Sequence, residues 1–181
     1  MTERDGGWMA RIIARFSDEH LRHVITSGRY RDEFLEQELF RVLSGRRDKI
    51  LMRYFRDLSP LSMPTLRVRA SGRTDVCLRD LAVESSMARP ATRKFGVRIW
   101  RGAELEEVDP IHTAYHPRGR VCTELPTSNA TAKDPAYLIV DVVASNGSAP
   151  NAPARVHLYH LGDAGYRIVG LERPSGFAPP G

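Results

Sequence analysis

Lysine is almost missing from this sequence. Of 27 basic side chains only Lys49, Lys94 and Lys133 are lysines, and the rest are arginines. Cysteine is as scarce: Cys77 and Cys122 are too few for a disulfide scaffold and, alone, too few for a structural zinc site. No apolar run approaches the roughly 20 residues that span a bilayer. The first residues include Glu3 and Asp5 and lack the apolar stretch of a signal peptide, so the expectation is a soluble, cytoplasmic protein. The common catalytic signatures are missing too. There is no G-x-S-x-G elbow, no G-x-x-x-x-G-K-[ST] loop and no G-x-G-x-x-G after a strand. No cofactor is expected.

What is present describes a globular chain. The 181 residues are 41% hydrophobic and 27% charged, enough for one full core or two small ones. Net charge is +5, and the excess sits in the middle: residues 58–120 hold 11 basic and 7 acidic side chains.

The N-terminal third has helical periodicity. Thr2 and Asp5 stand where caps stand, and Trp8, Ile12 and Phe16 follow at helical spacing over about residues 5–15. Ser17 caps a second helix with Asp18 and Glu19 in its first turn, and Gly28 stops it as a C′ residue. Asp32 caps a third, whose stripe continues for about 24 residues through Tyr54 and Phe55, with Gly45 a possible kink. Trp8, Ile12, Phe16, Leu21, Leu39 and Val42 are the expected helical core. Pro60 and Pro64 end this part.

From Thr65 the period changes to two. "LRVRA", "DVCLRDLAVES" and "RKFGVRIWRG" read as strands, the last with Phe95, Val97 and Ile99 on one face and Arg98 and Trp100 on the other. "YLIVDVVA" reads as a central strand. "ARVHLYHLG" and "GYRIVGLER" form a hairpin through "GDAG". The expected fold is α+β: a three-helix N-terminal part, residues 1–60, packed on an antiparallel β-sandwich-like domain, residues 61–174. Residues 175–181 read as a disordered tail.

Three constellations could carry function. The basic stretch 67–101 offers Arg67, Arg69, Arg93, Lys94, Arg98, Trp100 and Arg101 as a binding face for an anionic ligand or an acidic protein. Nucleic acid is an alternative partner for the same stretch. His112 and His116, four apart, with Cys122 beyond, suggest a metal- or cysteine-dependent enzyme. Pro110 and Pro117 bracket that pair, and no glutamate lies between the histidines, so the plain reading is a surface loop and no metal is expected. His157 and His160 fall on opposite faces of a strand.

The segment "MTERDGGWMARIIARFSDEHLRHVITSGRY…LSGRRDKILMRYF" resembles one near the C-terminus of large uncharacterised bacterial proteins. There a "DRDAxWxAKIV" helix precedes "FSDEQIRAxVxAGxYSDP" and "LIxRRDKIGRYWF". Thr2, Arg4, Asp5, Trp8, Ala10, Ile12, Phe16 to Glu19, Arg22, Gly28, Tyr30, Arg46 to Ile50, Arg53 and Phe55 match. "DVCLRDLAVES" and "GYRIVGLER" are similar to that group's β-rich tail. The longer proteins carry a kinase-like region upstream, with "HNDLKxxN" and "DFG". Neither motif is in this chain, so phosphoryl transfer is not implied for it. The group's "YSDP" is "YRDE" here, which removes a helix stop and would let the second and third helices merge. The resemblance implies a non-catalytic accessory or interaction module, the tail of a larger bacterial protein, with a protein partner and an oligomeric state left open.

Overall fold

Three helices lead into two antiparallel sheets in a computed structural model that describes residues 2–110, 112–145 and 151–174. Helix α1 spans Glu3–Ile13, α2 spans Asp18–Ser27 and α3 spans Glu33–Asp57. Each start is capped as the sequence suggests. The Thr2 hydroxyl accepts from the Asp5 amide at 3.3 Å while the Asp5 carboxylate accepts from the Thr2 amide at 2.8 Å. Ser17 is paired reciprocally with His20, and Asp32 accepts from the Phe34 amide at 2.9 Å. Helices α2 and α3 do not merge. Gly28 ends α2 with a right-handed φ of −70°, and Arg29 takes the left-handed turn at φ 49°. Helix α3 runs unbroken through Gly45.

The helical core differs from the expected one. Trp8 is 61% exposed, and Phe16 and Val42 are exposed as well, whereas Ile12, Leu21 and Leu39 are half-buried. Helix α1 instead turns its small face inward, through Gly6, Gly7 and Ala10. The Tyr54 ring lies where a Cβ on Gly6 would stand, and Leu58 does the same at Gly7. Close approach by α3 therefore selects the glycine face over the tryptophan face. Ala10, Leu51 and Phe55 continue into Leu81, Ala82 and Ala88, so the helices pack on the connection that follows the second strand. The Asn151 amide donates to the Arg56 carbonyl at 2.7 Å and the Phe55 carbonyl at 3.2 Å, satisfying the end of α3 from the sandwich side.

Strands β1 (Leu61–Val68), β2 (Thr74–Asp80), β5 (Thr113–His116) and β6 (Arg120–Glu124) form one sheet in the order β1-β2-β6-β5. Strands β3 (Lys94–Arg101), β4 (Glu106–Val108), β7 (Ala136–Ser145), β8 (Ala154–His160) and β9 (Tyr166–Glu172) form the other, in the order β4-β3-β7-β8-β9. Leu61, Val76, Leu78 and Val121 of the first sheet share one core with Ile99, Leu138, Val140, Val156 and Leu158 of the second. The chain thus has the α+β architecture that its two periodicities predict, with "YLIVDVVA" at the centre of its sheet and the β8–β9 hairpin turning at Gly162–Gly165. Strand β1 starts four residues before the expected Thr65. It takes in Pro64 at a bulge on the sheet edge, where a missing N–H is tolerated. "LAVE" after β2 is a short helix, α4 (Leu81–Glu84), because Asp80 caps it. The tail at 175–181 lies outside the described residues. No helix among the described residues is long and apolar enough to cross a membrane.

Candidate functional site

The seven cationic and aromatic residues of the basic stretch lie on two different sheets. Arg67 and Arg69 are at the end of β1, whereas Lys94, Arg98, Trp100 and Arg101 are on β3 and Arg93 just precedes it. Most of these cations already have internal partners. Arg69 is 2.8 Å from Asp75 and 3.2 Å from Glu124, and the Asp75 hydrogen bond holds it above the usual arginine range. Arg93 is buried against Asp80 at 2.7 Å. Arg101 meets Glu106 at 3.3 Å, and Arg98 lies 3.8 Å from Glu107. Trp100 is only 4% exposed, and the guanidinium above its ring, at 5.8 Å, belongs to Arg155. Among the described residues Arg67 and Lys94 have no ion pair. Asp75, Glu106 and Glu107 lie within ten residues of their arginines, whereas Glu124 is 55 residues from Arg69 and only the fold brings it there.

Three cations without an ion pair among the described residues meet around the β5–β6 hairpin. Residues 113–124 are not a loop but two strands joined by Pro117, Arg118 and Gly119. Gly119 has φ 77°, and a Cβ there would crowd the Asp80 carbonyl and Val83, so the turn is seated on α4. Cross-strand register aligns Arg79 with Arg120 and Arg120 with His116, a row of basic side chains over three strands. Arg67, His116, Arg118 and Arg120 line a cavity of about 430 Å³ with Glu84. Glu84 is already engaged by Arg79 at 2.7 and 2.5 Å, which raises the Arg79 pKa. Arg67, Arg118 and Arg120 therefore face solvent with no carboxylate of their own among the described residues.

The rival constellation does not assemble. Cys122 is bonded to Cys77 directly across β2 and β6, with 4.0 Å between their Cα atoms, so it offers no thiolate. Spacing along the chain carries no sign of this pairing, because it depends on strand register. The described bonds of His112 are made by its carbonyl, which accepts from the Glu124 amide at 2.9 Å and the Thr123 hydroxyl at 3.2 Å. Among the described residues no three His, Cys, Asp or Glu side chains come together as a metal set.

The outer face of the five-stranded sheet carries a polar network that periodicity alone did not reveal. Asp141 and Arg155 pair through two bonds of 2.8 and 2.9 Å. The Tyr137 hydroxyl is 2.5 Å from His157 Nδ1, and His157 Nε2 is 3.3 Å from Glu172. Burial, with Tyr159 and Glu172 nearby, pushes the Tyr137 phenol up and keeps it protonated. These groups satisfy one another. A shallow depression of about 340 Å³ opens beside them over Gly96, between Lys94, Arg98 and Val143.

His157 and His160 point to opposite faces, as the alternation predicts. His160 is buried, 2.7 Å from the Ser128 hydroxyl and stacked on Tyr166, and burial lowers its pKa from 6.5. The folded state thus binds that proton more weakly than the unfolded chain does. His160 contributes its full stability above about 6.5 and loses it as the pH falls from there towards the lowered folded value. Urea melts at descending pH should show a steeper loss of stability in the wild type than in His160→Gln. Parallel curves would contradict this.

Helices stacked beside an antiparallel sandwich, with a cationic row on one outer face, define a class of architecture and not an activity. Compared with family models, curated proteins and solved structures, the chain matches none of them.

Proposed function

We propose that the chain is a non-catalytic interaction module, the tail of a larger bacterial protein, that docks an acidic protein surface through Arg67, Arg118 and Arg120. One observation carries the reading. Internal carboxylates occupy most of the other cations of the basic stretch, while these three converge with His116 on one cavity whose only carboxylate is already taken. A site rich in arginine and poor in acid steers an acidic partner and weakens with salt.

The test uses a poly-glutamate peptide as probe, with single-stranded DNA as the contrasting ligand. Wild-type protein should retain the peptide at low salt and release it at high salt. Arg67→Glu, Arg118→Glu and Arg120→Glu together should weaken retention by roughly tenfold or more, mainly through the association rate. The three side chains are exposed, so the melting temperature should hold. Equal retention by the variant would refute the proposal. Tighter retention of DNA than of peptide, with a salt slope that falls by about one unit per arginine removed, would move the site to the nucleic-acid reading.

A further inference from the structure

A second arginine cluster lies inside the molecule, where the helices meet the sandwich. Arg11, on the last turn of α1, and Arg173, just past β9, line a cavity of about 500 Å³ together with Arg4, Ser59, Ala152 and Leu171. Arg11 reaches the Ser59 carbonyl at 3.3 Å. Arg173 reaches the Leu61 carbonyl at 2.9 Å and the Ser62 hydroxyl at 3.5 Å. Beyond that neither guanidinium is satisfied: the Nε atoms of both are buried without a hydrogen-bond partner.

Glu3, Asp57 and Glu172 line the same cavity, but each is paired with a base other than Arg11 and Arg173. Glu3 bonds Arg53 at 3.3 Å, Asp57 bonds Arg53 at 2.9 Å and Arg56 at 3.2 Å, and Glu172 lies 3.3 Å from His157. Arg4, Arg11 and Arg173 have no ion pair among the described residues. Two desolvated guanidinium groups of like charge, without a counter-ion, are costly to hold together. Burial and the charge of Arg173 push the Arg11 pKa down to about 10, and burial lowers that of Arg173 as well. An arginine that keeps its proton throughout the working range recovers part of this cost through carbonyl hydrogen bonds and more of it by taking an anion.

We propose that the cavity between α1, the α3–β1 connection and the end of β9 binds a small dianionic oxyanion of the phosphate class, held by Arg11 and Arg173. Two neighbouring cations match a charge near −2, and a guanidinium offers phosphate oxygens a planar fork of N–H donors. The anion would bridge the helical part to the sandwich, since Arg11 belongs to one and Arg173 to the other. The source of the phosphate, free or as a monoester on a metabolite, is left to the probes.

The full chain is melted in increasing inorganic phosphate at constant ionic strength set with chloride, and phosphate binding is followed separately by phosphorus NMR line width. The melting temperature should rise saturably with phosphate. It should not rise with chloride. Arg11→Gln, Arg173→Gln and the double variant should fold, because each removes a repulsive charge, and should lose both the phosphate-dependent rise and the line broadening. The Arg67→Glu, Arg118→Glu, Arg120→Glu variant should keep both, which separates this site from the docking row. Phenyl phosphate in place of inorganic phosphate tells a monoester site from a free-ion site. No saturable rise, or a rise that survives in the Arg11→Gln, Arg173→Gln double variant, overturns the proposal.

Discussion

Replacing Asp80 by alanine should cost about 3–5 kcal/mol, the usual penalty for stranding one member of a buried ion pair. Asp80 is fully buried, and one carboxylate oxygen accepts from Arg93 Nε at 2.7 Å while the other accepts from the Ala82 amide at 3.1 Å and caps α4. Its own amide donates to the Gly119 carbonyl at 2.7 Å, so the same residue fixes the turn that carries Arg118. Alanine would leave the Arg93 charge in the interior and an orphan amide at the start of α4. For a chain of this size the melting temperature should fall by roughly 2–4 °C per kcal/mol. Urea midpoints with unchanged slope are the measurement. Asp80→Leu combined with Arg93→Met should recover much of the loss, because it removes both charges at once. A single alanine variant as stable as the wild type would show that Arg93 is solvated and not buried.

The second large effect is expected at the cysteine pair. Cys77 and Cys122 are 45 residues apart, and closing a loop of that length restricts the unfolded chain by an amount worth about 4 kcal/mol in the entropic account. Cys77→Val with Cys122→Val, or reduction under native conditions, should lower stability by roughly 2–4 kcal/mol. Thiol titration in denaturant should find no free thiol in protein purified without reductant, and both thiols after reduction. Two free thiols before reduction would refute the pairing. The state of the pair in cells also bears on the compartment, since lasting disulfides belong to oxidising surroundings and a cytoplasmic chain would hold two thiols.

Local chemistry made much of this fold readable. Thr2, Ser17 and Asp32 are caps whose hydrogen bonds span two or three residues, so their meaning lies in adjacent letters. "YLIVDVVA" is the most hydrophobic run and reads as a central strand, and it is the central one of its sheet. What failed was long-range. A large apolar face and a glycine face on α1 are equally consistent with helical periodicity, and only the approach of Tyr54 and Leu58 chooses between them. The β5–β6 hairpin was hidden because "HTAYH" alternates no clear apolar face and Pro117 resembles a loop. The binding face shifted because side-chain contacts outside the strand register give Arg69 to Asp75 and Glu124 and Arg93 to Asp80, whereas among the described residues no acid pairs with Arg118 or Arg120.

Pro64 lies on an edge strand. It sits with Met63, at φ 52°, in the bulge of β1, which is an outermost strand of its sheet. Arg173 caps the same margin by donating to the Leu61 carbonyl. An edge that lacks an amide, bends out of plane and is partly covered cannot serve as a template for an incoming strand. The opposite margin is β5, four residues long, and β4 at the border of the other sheet has three. The chain should therefore resist sheet-to-sheet aggregation along three of its four borders, with the seven-residue β9 the remaining one.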